Sequence, residues 1–228
     1  MHIEFLVEDS SGSALLEIIV PKIIGAFGLP HTWRIKAYKG IGKIPKNLSA
    51  TSDPRKRILL DQLPRLLKGY SSTQGIDAVV VVLDSDRNDC IAFLKELKSV
   101  SDATRKPETL FRIAIEEIEA WYLGDKSAIQ KAYAKAKLIK LKNYSPDSVV
   151  GTWELLAEVV HSGGAKEIKR VGWPLPGTLK HEWAKNIGPN MQIDANTSPS
   201  FNKFVNGLRK LALPLNSDLK QTHNIFSN

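Results

Sequence analysis

The chain has a single cysteine, Cys90, in 228 residues. That excludes an intrachain disulfide and sets the expectation of a reducing, cytoplasmic setting. No apolar run approaches the ~18 residues that span a bilayer. Met1-His2-Ile3-Glu4-Phe5 enters a strand pattern directly, without the basic stretch that opens a signal peptide. His161 has no partner at His-x-x-x-His spacing, so it reads as a surface residue rather than a metal ligand. Lys39-Gly40-Ile41-Gly42-Lys43 lacks the third glycine and the Lys-Ser/Thr ending of a nucleotide loop. Internal repeats and low-complexity tracts are also missing. With 43% hydrophobic and 25% charged residues, the composition excludes global disorder and suits one large α/β unit with a helical addition.

Charge of one sign is scarce in particular places. The net charge of +8 is the balance of −3 over residues 1–30, +8 over 31–70, −4 over 71–128 and +7 over 129–228. In the second segment ten Lys/Arg face only Asp53 and Asp61. Acids thus gather near the expected strand ends, and basic residues fill the stretches between and after them. That division suits a metal site framed by a surface for a polyanion such as DNA or RNA. Lys39, Lys43 and Lys46 in a flexible loop, and Arg55, Lys56 and Arg57 in the next segment, are the candidate phosphate contacts.

The run Ala78-Val79-Val80-Val81-Val82-Leu83 reads as a strand buried on both faces, as in a parallel sheet covered by helices. It stops at Asp84, and Asp86 follows two residues on. Strands are also expected at residues 2–7, 33–38 and 109–115. Helices are expected at about 14–27, 54–69, 89–99, 126–142, 152–161, 178–187 and from Ser198-Pro199 onward. Ser11 or Ser13 would cap the first helix and Ser52 or Asp53 the second. Pro21 and Pro64 would kink or break their helices, while His161–Lys166 and Pro174–Gly177 would be loop and turn. The fold expected is α/β, a Rossmann-like, mostly parallel sheet flanked by helices. Residues 1–125 form the core, 126–213 a helical extension packed on it, and 214–228 a poorly ordered polar tail.

Ligands of open α/β sheets bind beyond the carboxyl ends of the strands. Acids stand at three such ends: Glu8, the Asp84/Asp86 pair, and Glu116 or Glu119. Glu117, between the last two, reads as solvated. Oxygen ligands of this kind suit Mg2+ or Mn2+, and a carboxylate-held cation serves phosphoryl chemistry. The competing reading of Asp84 and Asp86 is that they only cap a turn and the following helix.

Val7-Glu8 followed by small residues, Asp84-Ser85-Asp86 after a later strand, and the βαβ spacing between them resemble a TOPRIM domain, as in topoisomerases, primases and OLD-family nucleases. Ile115-Glu116-Glu117-Ile118-Glu119-Ala120-Trp121-Tyr122-Leu123-Gly124-Asp125 and Ser198-Pro199-Ser200-Phe201 resemble a bacterial family of small TOPRIM-like proteins. Those proteins often accompany ABC-type ATPases, and some relatives act in phage defence. The resemblance implies Glu8 as general base or metal ligand, Asp84 and Asp86 as metal ligands, and Glu116 or Glu119 at a second metal position. OLD-type nucleases also use a lysine, and Lys180 in Thr178-Leu179-Lys180-His181 is the best match. The implied activity is Mg2+-dependent cleavage of nucleic acid, with an ABC-type ATPase as partner. A homo-oligomer is compatible with the same reading. A receiver-like signalling module is the alternative, with Glu8, Asp9 and Asp84 around Mg2+ and Asp84 accepting phosphate. A nucleic-acid-binding TOPRIM protein without catalysis is a third.

Overall fold

In the computed structural model, which describes residues 1–48, 53–86, 88–104 and 107–213, the apolar runs form one four-stranded sheet. Its strands are β1 (His2–Val7), β2 (Thr32–Ala37), β3 (Ala78–Asp84) and β4 (Glu108–Ala114). All neighbours pair in parallel, in the order β2-β1-β3-β4. The chain steps from β1 to one side and then crosses back to build the other, so the order reverses between β1 and β3. A sheet of this kind opens a crevice beyond the carboxyl ends of those two strands. Val7 is in register with Val82, so Glu8 and Asp84 leave the sheet close to that point.

Nine α-helices surround the sheet among the described residues: α1 (Ser10–Ile24), α2 (Leu59–Ser71), α3 (Cys90–Asp102), α4 (Glu119–Leu123), α5 (Lys126–Ala132), α6 (Thr152–Val160), α7 (Gly164–Val171), α8 (Leu175–Ile187) and α9 (Pro199–Ala212). The two-residue period of β3 sorts them. Val79, Val81 and Leu83 pack with Leu59, Leu63 and Leu67 of α2 and with Phe93 and Leu97 of α3. Val80 and Val82 belong to the opposite core, with Leu16 and Ile19 of α1, Trp121 of α4, Trp183 of α8 and Phe204 of α9. Both faces of β3 are therefore dry, and each buried Val or Leu contributes roughly 1.5–3 kcal/mol. Residues after 125 share the core of the sheet rather than building one of their own.

Several local expectations give way to tertiary contacts. α1 begins at Ser10, because Asp9 takes the cap instead of Ser11 or Ser13; its Oδ1 accepts from the Gly12 N–H at 2.7 Å. Pro21 and Pro64 end neither helix: α1 runs on to Ile24 and α2 to Ser71, held by buried neighbours such as Val20, Ile23, Leu63 and Leu67. The basic segment at Pro54 makes only a 3-10 turn (Pro54–Lys56) capped by Asp53, and Arg57 at φ 55° reverses the chain before α2. Gly164–Val171 is helical instead of loop. Leu175-Pro176-Gly177 is the first turn of α8, where proline is tolerated. The helix expected over 126–142 stops at Ala132, with a separate 3-10 turn at Leu138–Leu141. Ser52 and the tail 214–228 lie outside the described residues. No described helix is long and apolar enough to cross a membrane.

Candidate functional site

Three loops at the carboxyl edge of the sheet are tied to one another. Tyr38 and Gly40 donate backbone N–H bonds to the carbonyls of Val7 (2.8 Å) and Glu8 (3.1 Å). Ser85 donates its N–H to the Ala114 carbonyl at 3.0 Å, and its buried hydroxyl accepts from the Glu116 N–H at 2.7 Å. Asp86 donates its N–H to the Glu116 carbonyl at 2.9 Å. Glu8 closes the set: its Oε2 accepts the Asp84 N–H at 3.2 Å, across the β1–β3 crevice.

The segment after β4 then delivers more acids. Glu116 adopts a left-handed φ of 61°, and the turn that follows leads into α4. α4 is sunk in the core: Trp121 stacks on Phe204 at 5.1 Å between ring centres and donates its indole N–H to Ser200 Oγ at 3.0 Å. That anchoring fixes Glu119, which is only 1% exposed, with no hydrogen-bond partner for either carboxylate oxygen. Lys180 of α8 reaches in from the far side. Its Nζ lies 3.0 Å from Glu117 Oε1 and 3.5 Å from Glu119 Oε2. Tyr122 adds a buried hydroxyl that also lacks a partner.

Burial pushes Glu8 and Glu119 each up to about 7. At Glu8 the charges of Asp86 and Asp9 reinforce the shift, against the Asp84 N–H and Lys180. At Glu119 the Lys180 ammonium opposes burial, while Glu117 and Asp9 add to it. Asp84 is raised well above the usual carboxylate range by burial and then by Glu8, Glu119 and Asp9. Burial pulls Lys180 down, but Glu119 and Glu117 more than reverse this, so it stays charged. The centre is thus a partly dry cluster of carboxyls that give up their protons reluctantly, with the Lys180 ammonium among them.

Of the residues singled out from sequence, Glu8 is bonded to Asp84, Glu119 is paired with Lys180, Asp84 feels the charges of all three, and Asp86 stands exposed. Glu116 does not join them. Its Oε1 accepts from the Gly151 N–H (2.6 Å), and its Oε2 accepts from the N–H (2.7 Å) and hydroxyl (2.6 Å) of Thr152. It caps α6, and both oxygens are already engaged. Glu117, expected in solvent, faces Lys180 instead; burial raises its pKa, with Lys180 opposing. Sequence reasoning passed over Tyr122, although it falls one helical turn after Glu119. Lys39, Lys43, Lys46, Arg55, Lys56 and Arg57 are all exposed. The loop carrying the first three leaves the same sheet edge as Glu8. It is stitched to the second group by Lys39 N–H to the Arg57 carbonyl at 2.8 Å and by the Arg57 guanidinium donating to the Ala37 carbonyl.

Among the described residues no group of three or more His, Cys, Asp or Glu side chains is arranged to hold a metal ion as it stands. The chemistry of the donors nevertheless suits a hard divalent cation. All are carboxylate oxygens, and three of them, both of Glu119 and Oε2 of Glu117, are buried without a hydrogen bond.

The fold and this edge therefore define an open parallel α/β protein with a carboxylate-rich centre at its switch point. A family model described as "Domain of unknown function (DUF4276)" matches residues 7–209, and the chain belongs to that family. No curated protein and no solved structure matches it.

Proposed function

We propose that this protein is a Mg2+- or Mn2+-dependent phosphodiester hydrolase of TOPRIM type acting on nucleic acid. The observation that carries the reading is that Asp84, at the β1–β3 crevice, donates its N–H to Glu8 at 3.2 Å and lies near enough to Glu119 and Lys180 to feel their charges. Buried like charges are costly, so a carboxylate pool of this kind calls for a counter-charge. Glu8, Asp84 and Glu119 would hold the cation, with Asp86 reaching it from the rim. When bound, the cation neutralises charge on the phosphate and makes its water more acidic.

The chain's own groups then divide the work. Glu8 serves as metal ligand or general base at the mouth of the crevice. Lys180, kept charged by Glu117 and Glu119, lies where it can stabilise negative charge developing on the phosphate. The basic loop of Lys39, Lys43 and Lys46, with Arg55, Lys56 and Arg57 behind it, supplies contacts to the flanking backbone phosphates. A role in phage defence, and an ABC-type ATPase as partner, rest on the TOPRIM-like resemblance alone. The receiver-like reading has less behind it, because the Asp9 carboxylate is spent on Gly12 N–H and the Ser11 hydroxyl as the cap of α1.

The test is cleavage of plasmid DNA and of RNA by the purified chain with Mg2+, Mn2+ or EDTA. Divalent-dependent cleavage that disappears in Asp84→Ala/Asp86→Ala, with the circular-dichroism spectrum preserved, is the expected result. Equal cleavage by that double variant sinks the proposal. Salt-sensitive binding without any cleavage points to the non-catalytic module instead.

A further inference from the structure

Five tryptophans occur in the chain. Trp33, Trp121 and Trp183 are 8%, 0% and 2% exposed, and Trp153 is half-buried with Lys169 Nζ 5.4 Å above its ring. Trp173 differs from all of them at 82% exposed. Large aromatic rings are seldom left this open, since burying one removes 150–250 Å2 from water.

Its position is built. Trp173 is the middle residue of the three-residue link between α7 and α8, and its ring lies against Gly177 in the first turn of α8. A Cβ on Gly177 would stand 2.8 Å from Trp173 Cη2 and 2.9 Å from Cζ3. A side chain at 177 would push the indole aside, so the glycine lets the ring rest against the helix while most of it stays open to solvent.

The stripe of α8 that begins under this ring continues into the site. Lys180 follows Gly177 by three residues, about 4.5 Å along the axis, and the fully buried Ala184 follows by seven, so all three share one side of the helix. Lys180 is the residue that meets Glu117 and Glu119. The open indole therefore stands one helical turn from the lysine of the carboxylate centre. The preceding helix α7 offers exposed Lys166, Lys169 and Arg170, of which Lys169 pairs with Glu154 and Arg170 with Glu167.

We infer that Trp173 is a stacking platform for an unpaired nucleobase, so that the substrate class of the site is single-stranded nucleic acid. This rests on the nucleic-acid reading given above. An exposed indole is a surface on which single strands lie, because every base has an aromatic face, and the basic residues of the neighbouring helix supply charge for the backbone. A base inside a duplex is already stacked on both faces and cannot lie on a side chain. Stacking at Trp173 would place the neighbouring phosphate toward Lys180.

Titrating the full chain in EDTA with a 5′-labelled oligothymidine tests this through two signals, tryptophan emission and the anisotropy of the label. Saturable quenching by the single strand, and weak quenching by the matching duplex, are expected. Trp173→Ala should remove the quench and weaken binding about 10-fold or more, whereas Trp173→Phe should stay within about 3-fold of the parent, since stacking survives. Because Trp173 is exposed, both variants should melt with the parent. Equal quenching by duplex overturns the single-strand preference. Binding without a Trp173 signal, or an emission change that follows protein concentration but not oligonucleotide, overturns the platform. Quenching without subsequent cleavage in Mg2+ would remove the hydrolase reading and leave the platform standing. Cleavage with unaltered oligonucleotide affinity in Trp173→Ala would do the reverse.

Discussion

Lys180 Nζ stands 3.0 Å from Glu117 Oε1, joining α8 to the segment after β4 across 63 residues of chain. Both side chains are only 18% exposed, and the neighbouring Glu119 is 1% exposed. The C-terminal helices therefore complete a centre whose other members come from the sheet.

Lys180→Met would leave Glu117 and Glu119 without their cation. Breaking a buried pair costs about 3–5 kcal/mol, and partial exposure puts the expected loss at the lower end of that range. Urea unfolding at pH 8 in EDTA measures it. The same variant should lose much less at pH 5, where the carboxyls take up protons; equal stability of variant and parent at pH 8 would contradict the pairing.

Glu8 and Glu119, both raised to about 7, make a prediction with a definite sign. A carboxyl that holds its proton more tightly in the folded state stabilises the fold at low pH. Between the ordinary glutamate value of 4.5 and about 7 the unfolded chain ionises first, so stability should fall as pH rises through that window. Urea midpoints in EDTA should be lower at pH 7.5 than at pH 5. Glu119→Gln should flatten the decline, and Mg2+ should offset it at pH 7.5 if the centre takes a cation. A midpoint that rises over the same range would count against the buried pool.

Glu4 should act in the opposite direction at lower pH. Its carboxylate is fully buried in β1, where Arg34, Lys36 and His2 surround it, and Tyr70 donates to it at 3.2 Å. Burial alone would raise its pKa, but the hydrogen bonds from Arg34 and Lys36 bring it below the usual value. Its contribution is present above pH 4.5 and lost as pH falls through the depressed value. Glu4→Leu should therefore destabilise at pH 6 and make less difference near pH 3. If the loss were the same at both pH values, lost packing would be the only effect.

Glu116→Ala removes an N-cap rather than a ligand. Losing such a cap costs about 0.5–2 kcal/mol, with the upper end expected because three hydrogen bonds go at once. Thermal melting reads the cost. If instead divalent-dependent cleavage vanished while the melt stayed unchanged, Glu116 would belong to the centre after all.

Much of the sheet was legible from the chain. The unbroken, mostly β-branched apolar run at 78–83 reads as a strand dry on both faces, and the flanking pattern placed β1, β2 and β4 to within a residue at either end. Glu8, just after β1, and Asp84, the last residue of β3, were legible for the same reason, since the carboxyl end of a parallel strand emerges at the sheet edge. The helices were less so. Buried neighbours carried α1 past Pro21 and α2 past Pro64, while Gly164, with nothing apolar about it, begins a helix because α7 packs Ala165 and Ile168 into the core.

By itself the sequence determined that acids follow the strands and that basic residues concentrate in the stretches between and after them. Period and strand ends are local properties that neighbouring residues enforce. Which of the three glutamates in Glu116-Glu117-Ile118-Glu119 enters the centre was decided only by the tertiary structure. The left-handed turn at Glu116 sends its carboxylate to the start of α6, and the burial of Trp121 turns Glu119 inward. Lys180 meets them because α8 packs on α1, a contact between segments with no local pattern in common.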